Sequence, residues 1–292
     1  MDSTILQALR QVLAETMGED IPLPRPEPLG GGSINQTYRL WVGPDSSYFC
    51  KMNDMATFPG LFEKEKHGLE RLAAVGTMRV PGVIACDTLS DKQFLLLEWI
   101  ESGTRSENFW KRFGESLAML HQASHPFFGL EEDNYMGALP QSNRPHRSWC
   151  EFLIEERFEP QLALAIRAQL IEPHHARQFE QLYQKLDDIF PVTAPSLLHG
   201  DLWSGNFLCD ANGNATLIDP AVYFGHPAMD LGMTGMFGGF DPAFYEAYHY
   251  YSPLPSNYRE QWEVCRLYPL LIHLNLFGKS YLPDILHTIQ SC

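Results

Sequence analysis

The rhythm of apolar and polar positions changes near residue 100. Before that point short alternating runs dominate. Thr37–Val42 (TYRLWV) and Tyr48–Met52 (YFCKM) alternate and flank Gly43-Pro44-Asp45, which predicts a β-hairpin. Phe94–Trp99 (FLLLEW) is almost continuously apolar and predicts a strand covered on both faces. Between them, Gly60 to Gly76 carries Phe62, Leu69, Leu72 and Ala73 on one stripe, the spacing of an amphipathic helix. The opening MDSTILQALRQVLAE has no basic segment ahead of a continuous apolar core, so it reads as an amphipathic helix rather than a signal peptide. Ile21 to Pro28 (IPLPRPEP) is dense in proline and predicts an extended linker.

Beyond residue 100 the period lengthens. Ser106 is placed to cap a helix through Phe109, Phe113, Leu117 and Leu120. Trp149–Leu170 reads as a helix bent or broken near Pro160, and His174–Phe190, Pro242–Tyr251 and Tyr258–Phe277 read as further helices. The expected fold class is therefore α+β in two lobes, a β-rich part over residues 1–100 with an N-terminal helix and a mainly helical part over 101–292. The sequence shows no internal repeat and no low-complexity tract.

One stretch breaks the apolar pattern in a way that asks for chemistry. SLLHGDLWSGNFLCDANGNATLIDPAV, from Ser196 to Val222, sets carboxylates among buried-looking residues. Ionised carboxylates are rarely buried unless paired or bound to a metal. Asn212-Gly213 is a strong hairpin signal. A two-residue turn there sets Ala211 against Asn214 and, counted outward, Asn206 against Asp219. Opposed residues of an antiparallel pair hold their Cβ atoms roughly 4.5–5.5 Å apart. That register would bring two hard oxygen donors together, which suits Mg²⁺. The spacing His199-x-Asp201-x-x-x-x-Asn206 matches the catalytic loop of protein kinases, in which the Asp accepts the proton of the attacking hydroxyl and the Asn holds metal. Asp219 then takes the place of the second metal-binding carboxylate.

The first hundred residues supply matching oddities. Lys51 lies inside the apolar strand YFCKM, and Glu65 lies within the apolar stripe of its helix. Each alone also fits a side chain snorkelling at a core edge; together they fit an inward ion pair. Gly30-Gly31-Gly32-Ser33 precedes the first strand, so the N–H groups of Gly31, Gly32 and Ser33 could cover phosphates, although the segment fits neither G-x-G-x-x-G nor a Walker A loop. Glu98, Trp99 and Ile100 end the last strand before the helical part, where a hinge would offer main-chain groups to adenine.

Composition narrows the classes. With 45% hydrophobic and 20% charged residues the chain has the make-up of a soluble globular protein. The formal charge of -15 argues against nucleic acid or an anionic membrane as partner. The six cysteines show no Cys-x-x-Cys pair, so buried free thiols in a reducing compartment are expected. With no long apolar run, no transmembrane helix is expected and the cytoplasm is the expected location. The eleven histidines lack metallohydrolase spacings, and His121, His125, His174 and His175 are expected at the surface or at helix ends.

These residues together resemble the kinase-like superfamily of small-molecule kinases. HGDLWSGN (His199–Asn206), IDPAVYFGHPAMDLGMT (Ile218–Thr234), MFGGFDPAFYEAY (Met236–Tyr248) and LYPLLIHLNLFG (Leu267–Gly278) resemble the fructosamine kinase, or ketosamine-3-kinase, family along nearly the whole chain. LGGGSINQTYRL and the Lys51 strand fit it too. The resemblance implies a bilobal protein-kinase-like fold and phosphorylation by ATP, with Mg²⁺, of the 3-hydroxyl of a ketosamine carried on a small amine or a glycated protein. It implies Asp201 as base, Asn206 and Asp219 as metal ligands, and Lys51, oriented by Glu65, on the α- and β-phosphates. Asp230 resembles the superfamily aspartate that braces the catalytic loop with His199, and Trp203 and His226 resemble pocket residues of the family. Asp-Pro-Ala in place of Asp-Phe-Gly, with no Ala-Pro-Glu after it, departs from protein kinases. A kinase of another small hydroxyl compound, such as an aminoglycoside or amino alcohol, and a nucleotide-binding scaffold are the alternatives. Oligomeric state is open.

Overall fold

The computed structural model describes residues 1, 3–30 and 34–291. Gly31, Gly32 and Ser33, expected over the phosphates, lie outside the described residues. The chain divides into two compact units, Met1–Thr104 with Leu208–Ile218, and Arg105–Phe207 with Asp219–Cys292.

In the first unit, helix α1 (Ser3–Met17) precedes β1 (Arg25–Leu29), β2 (Gln36–Trp41) and β3 (Ser47–Asp54); α2 (Leu61–Val75), β4 (Val83–Leu89) and β5 (Lys92–Glu98) follow. The strands form one antiparallel sheet in the order β1-β2-β3-β5-β4. Side chains alternate across it. Leu40, Cys50, Met52, Phe94 and Leu96 face one way and close a core with Leu9, Leu13 and Ile21. The opposite parity holds Lys51 paired with Leu95 and Asn53 paired with Gln93. Both faces of β5 are covered, which explains its unbroken apolar run. The proline-dense linker is in part a strand. Arg25–Leu29 pairs with β2 at the sheet edge, where Pro26 and Pro28 leave no inner ladder bond unmade.

The second unit is mainly helical. It contains α3 (Phe109–Leu120), the short strands β6 (Asn134–Met136) and β7 (Leu139–Gln141), α4 (Trp149–Phe152), a π-helical segment over Leu153–Phe158, and α5 (Glu159–Arg167). Then come α6 (Pro173–Tyr183), α7 (Leu186–Ile189) and β8 (Ser196–Leu198). β9 (Phe207–Cys209) and β10 (Ala215–Leu217) form a hairpin whose residues Leu208–Ile218 belong to the first unit, while β11 (Tyr223–Gly225) pairs with β8. Helices α8 (Ala228–Thr234), α9 (Pro242–Tyr251), α10 (Tyr258–Phe277) and α11 (Leu282–Ser291) complete the second unit. Two local expectations are corrected. Asn108, not Ser106, precedes α3, and it makes no side-chain cap bond. The helix through Pro160 is not broken by the proline, which sits in the first turn of α5 where a missing N–H is harmless; the irregularity is the π segment before it. That segment buries Arg157, whose guanidinium lies 4.0 Å from the Tyr223 ring centre and donates to Asn143 Oδ1 at 2.7 Å.

The β9–β10 turn also differs from the two-residue form. Asp210 N–H donates to Asn214 C=O at 2.9 Å and Gly213 N–H to Asp210 C=O at 2.9 Å, so Asp210, not Ala211, faces Asn214. The cause is the Asp210 carboxylate. Its Oδ1 accepts the N–H groups of Asn212 and Asn214, both at 2.9 Å, and draws one more residue into the loop. Gly213 takes the resulting left-handed position at φ 76°.

Candidate active site

Two sets of polar residues stand out, one in each unit. In the first unit Lys51 Nζ and Glu65 Oε1 form an ion pair at 2.6 Å, with side chains 4% and 10% exposed. The pair follows from phase. Lys51 points to the α2 side of the sheet, and Glu65 sits one turn from the buried Phe62 and Leu69. Glu98 ends β5 and accepts from Arg79 Nη2 at 2.7 Å, while Arg79 Nη1 reaches Asp210 Oδ2 at 2.7 Å. Trp99 is half-buried with the Arg39 guanidinium 4.0 Å from its ring centre, and Ile100 is buried.

The second set is built on the loop after β8. Gly200 sits at φ 84°, and a Cβ there would fall 2.0 Å from the Ala221 carbonyl oxygen, so only glycine fits. Its N–H donates to Asp230 Oδ1 at 2.9 Å, and the N–H of buried His199 donates to Asp230 Oδ2 at 2.8 Å. His199 Nδ1 accepts the Asp201 N–H at 3.2 Å. Burial would push the Asp230 carboxyl up, but the hydrogen bond and charge of His121 and the amide of Gly200 hold it below the usual carboxylate range.

Asn206 Nδ2 donates to the carbonyl oxygen and to Oδ2 of Asp201, at 2.8 Å each. Burial pushes the Asp201 carboxyl up to about 7; the Asn206 bond opposes this and the charges of Asp219 and Asp230 add to it. Asp219 leaves the hairpin in a left-handed conformation, φ 54°, with an exposed carboxylate. With the register shifted by one, pairing across the ladder does not set Asp219 opposite Asn206 as the two-residue turn predicts; its charge is still near enough to raise the Asp201 carboxyl. Because the NH2 group of Asn206 is turned to Asp201, its carbonyl oxygen is directed elsewhere. With the Asp219 carboxylate it supplies hard oxygen donors, a set that fits Mg²⁺.

Trp203 is half-buried with its ring edge-to-face on Phe237, centres 5.4 Å apart. His226 packs 5.1 Å from the Phe190 ring centre and 5.8 Å from that of Trp149, and its Nδ1 accepts the Ala228 N–H at 3.1 Å. Burial, with the nearby charge of His121, pushes it down to about 3.

Two contributors escaped the sequence reading. His121 does end α3 but is buried, with Nε2 3.2 Å from Asp230 Oδ2 and Nδ1 2.8 Å from the Tyr248 hydroxyl. Its two ring nitrogens thus bridge the carboxylate that braces the loop and the Tyr248 hydroxyl. The only local signal was a histidine closing an apolar helix; Tyr248 sits in an ordinary aromatic run. His146, Glu155 and Glu156 also gather, but Glu156 Oε1 already meets Arg144 Nη2 and His146 Nε2 at 2.9 Å each. The described cysteines are free thiols, and Cys50, Cys150 and Cys265 are buried. Among the described residues no helix is long and apolar enough to cross a membrane.

The model of the fructosamine kinase family matches residues 5–292. The chain belongs to this family. A protein of Synechocystis sp. named a probable ketoamine kinase is 39% identical over 98% of the chain and 96% of its own length. A chloroplastic protein-ribulosamine 3-kinase of Arabidopsis thaliana is 36% identical over 87% of the chain and 78% of its own length. A crystal structure from Thermobifida fusca, provisionally assigned as a fructosamine-3-kinase, superposes with a TM-score of 0.88 at 30% identity, covering 97% of this chain and 98% of that one. An aminoglycoside phosphotransferase shares the fold alone, with a TM-score of 0.60 at 15% identity over 97% of this chain and 98% of that one. The fold is α+β and protein-kinase-like, and the fructosamine kinases are phosphotransferases.

Proposed function

We propose that the protein transfers the γ-phosphoryl group of ATP to the 3-hydroxyl of a ketosamine, a fructosamine or ribulosamine borne on a small amine or on a glycated protein. What carries this reading is the family match along the chain, joined to an HGDLWSGN loop whose Asp201 is held by Asn206 and whose backbone is braced by Asp230. Phosphoryl transfer asks little covalent chemistry of a protein; positioning and charge neutralisation dominate. Asp201 would accept the hydrogen bond, and then the proton, of the sugar 3-hydroxyl. A carboxyl tuned upward is the right kind of acceptor near neutral pH.

Asn206 and Asp219 would hold Mg²⁺, which when bound neutralises phosphate charge. Lys51, oriented by Glu65, would meet the α- and β-phosphates, the N–H groups of Gly31, Gly32 and Ser33 would cover them, and main-chain groups of Glu98, Trp99 and Ile100 would meet adenine. Residues 1–100 would thus bind nucleotide, and 101–292 would supply the catalytic loop and the sugar site, with Trp203 and His226 contributing to its walls. A 3-phosphate renders the amine adduct labile, so the reaction fits deglycation in the cytoplasm.

The test is Mg²⁺-dependent ATP consumption with a small fructosamine or ribulosamine, with phosphorus NMR of the product. A sugar 3-phosphate is expected, absent with Asp201→Ala, which should still bind Mg-ATP. Asp219→Ala should weaken Mg-ATP binding. Turnover by Asp201→Ala at the wild-type rate would overturn the assignment of the base.

A further inference from the structure

The face of the sheet that carries Lys51 also buries a row of amides. Gln36 pairs with Met52 and Thr37 with Lys51, so the next step of the register sets Asn35 against Asn53; Asn53 in turn pairs with Gln93 on β5. The three side chains are linked in one direction. Gln93 Nε2 donates to Asn53 Oδ1 at 2.6 Å, and Asn53 Nδ2 donates to Asn35 Oδ1 at 2.8 Å. The same Gln93 nitrogen donates to the Phe58 carbonyl oxygen, which also accepts the N–H of Leu61, the first residue of α2, at 3.3 Å. Asn53 and Gln93 are 7% and 4% exposed.

Stability alone does not ask for this. An apolar row of similar shape would bury as well without three amides to satisfy. What the row does is join three places. Asn35 lies two residues beyond Ser33, next to the start of β2. Asn53 lies two residues from Lys51, on the same face of β3. Phe58 leads into α2, which carries Glu65. Polar chains of this kind are directional, so they hold the parts they join at one spacing, whereas an apolar row can slide.

We infer that Asn35, Asn53 and Gln93 are positioning residues for the nucleotide phosphates, setting the start of β2 and the start of α2 against Lys51. The inference rests on the nucleotide-binding reading of Lys51 given above. It makes Gln93, which no phosphate-binding motif includes, a determinant of ATP affinity.

The experiment compares wild type with Asn35→Ala, Gln93→Met and the double variant. Mg-ATP affinity is read by titration calorimetry, thermal midpoint by circular dichroism, and KM and kcat by ATP consumption. Each single variant is expected to weaken Mg-ATP binding about tenfold and raise KM for ATP to match, with kcat at saturating ATP within about threefold of wild type. The double variant is expected to weaken binding by less than the product of the singles, because the two act through one chain. Folded variants that bind Mg-ATP like wild type, whatever their thermal midpoint, would overturn the inference and leave the row a structural feature. Asn35 is only half-buried, so Asn35→Ala decides the matter if Gln93→Met does not fold. A wild type that binds Mg-ATP yet phosphorylates no ketosamine removes the substrate reading, while the affinities still decide this one.

Discussion

The Asp230 carboxylate accepts the main-chain N–H of Gly200 at 2.9 Å, and so holds the backbone one residue before Asp201. Its other oxygen accepts the N–H of His199 and faces His121. An amide in its place offers one acceptor oxygen and turns an NH2 group on N–H donors. Asp230→Asn is therefore expected to lower stability by about 2–4 kcal/mol and to reduce turnover more than Mg-ATP affinity. Denaturant unfolding beside kcat and KM measures both; a variant as stable and as fast as wild type would remove the bracing role.

The Lys51–Glu65 pair predicts a non-additive pattern. Removing one partner leaves a charge in a nearly solvent-free site, so Lys51→Met and Glu65→Leu are each expected to cost about 3–5 kcal/mol. The double variant should recover much of that stability and none of the ATP binding. Additive losses in a double-mutant cycle would show that the two side chains do not act as a pair.

Gly200 has no substitute. A methyl group there meets the Ala221 carbonyl oxygen at 2.0 Å and sits on a left-handed backbone. Gly200→Ala is expected to cost at least about 3 kcal/mol and to abolish turnover, since any relief moves His199 or Asp201. Melting and activity measured together settle this, and a wild-type melt would contradict it.

His226 predicts an acid-side loss of stability. Its folded value is pushed down to about 3 from 6.5. Below the unfolded value the unfolded chain therefore binds the extra proton and the folded chain does not. No stability is lost above about pH 6.5; it falls as pH drops through the window between the two values and levels off below the folded one. The Ala228 N–H on Nδ1 requires the neutral ring. Relative to wild type, His226→Gln should lose less stability between pH 7 and pH 5, by roughly 1–2 kcal/mol. Parallel pH-stability curves for the two proteins would refute the assignment.

Much of this protein was determined by local pattern. The β2–β3 hairpin, α2, β5, α9 and α10 follow from alternation or helical period because each buries one face or both against neighbours. The oddities were legible for the same reason: a lysine in an apolar strand and a glutamate in an apolar stripe can only point inward. The spacing from His199 to Asn206 was legible because a tight loop, with Gly200 at its bend, keeps sequence distance and spatial distance in step.

The tertiary structure alone decided the rest. Residues 25–29 became a strand because an edge was open beside β2, which no proline count reveals. The hairpin register moved by one because the Asp210 carboxylate bonds into its own turn, and Asp219 follows the ladder in a left-handed bend. His121 and Tyr248 meet across 127 residues, and Asn35, Asn53 and Gln93 meet across three segments. Hydrogen bonds between distant parts leave no period in a sequence. They form only once burial has brought the groups together and made leaving them unpaired more costly than pairing them.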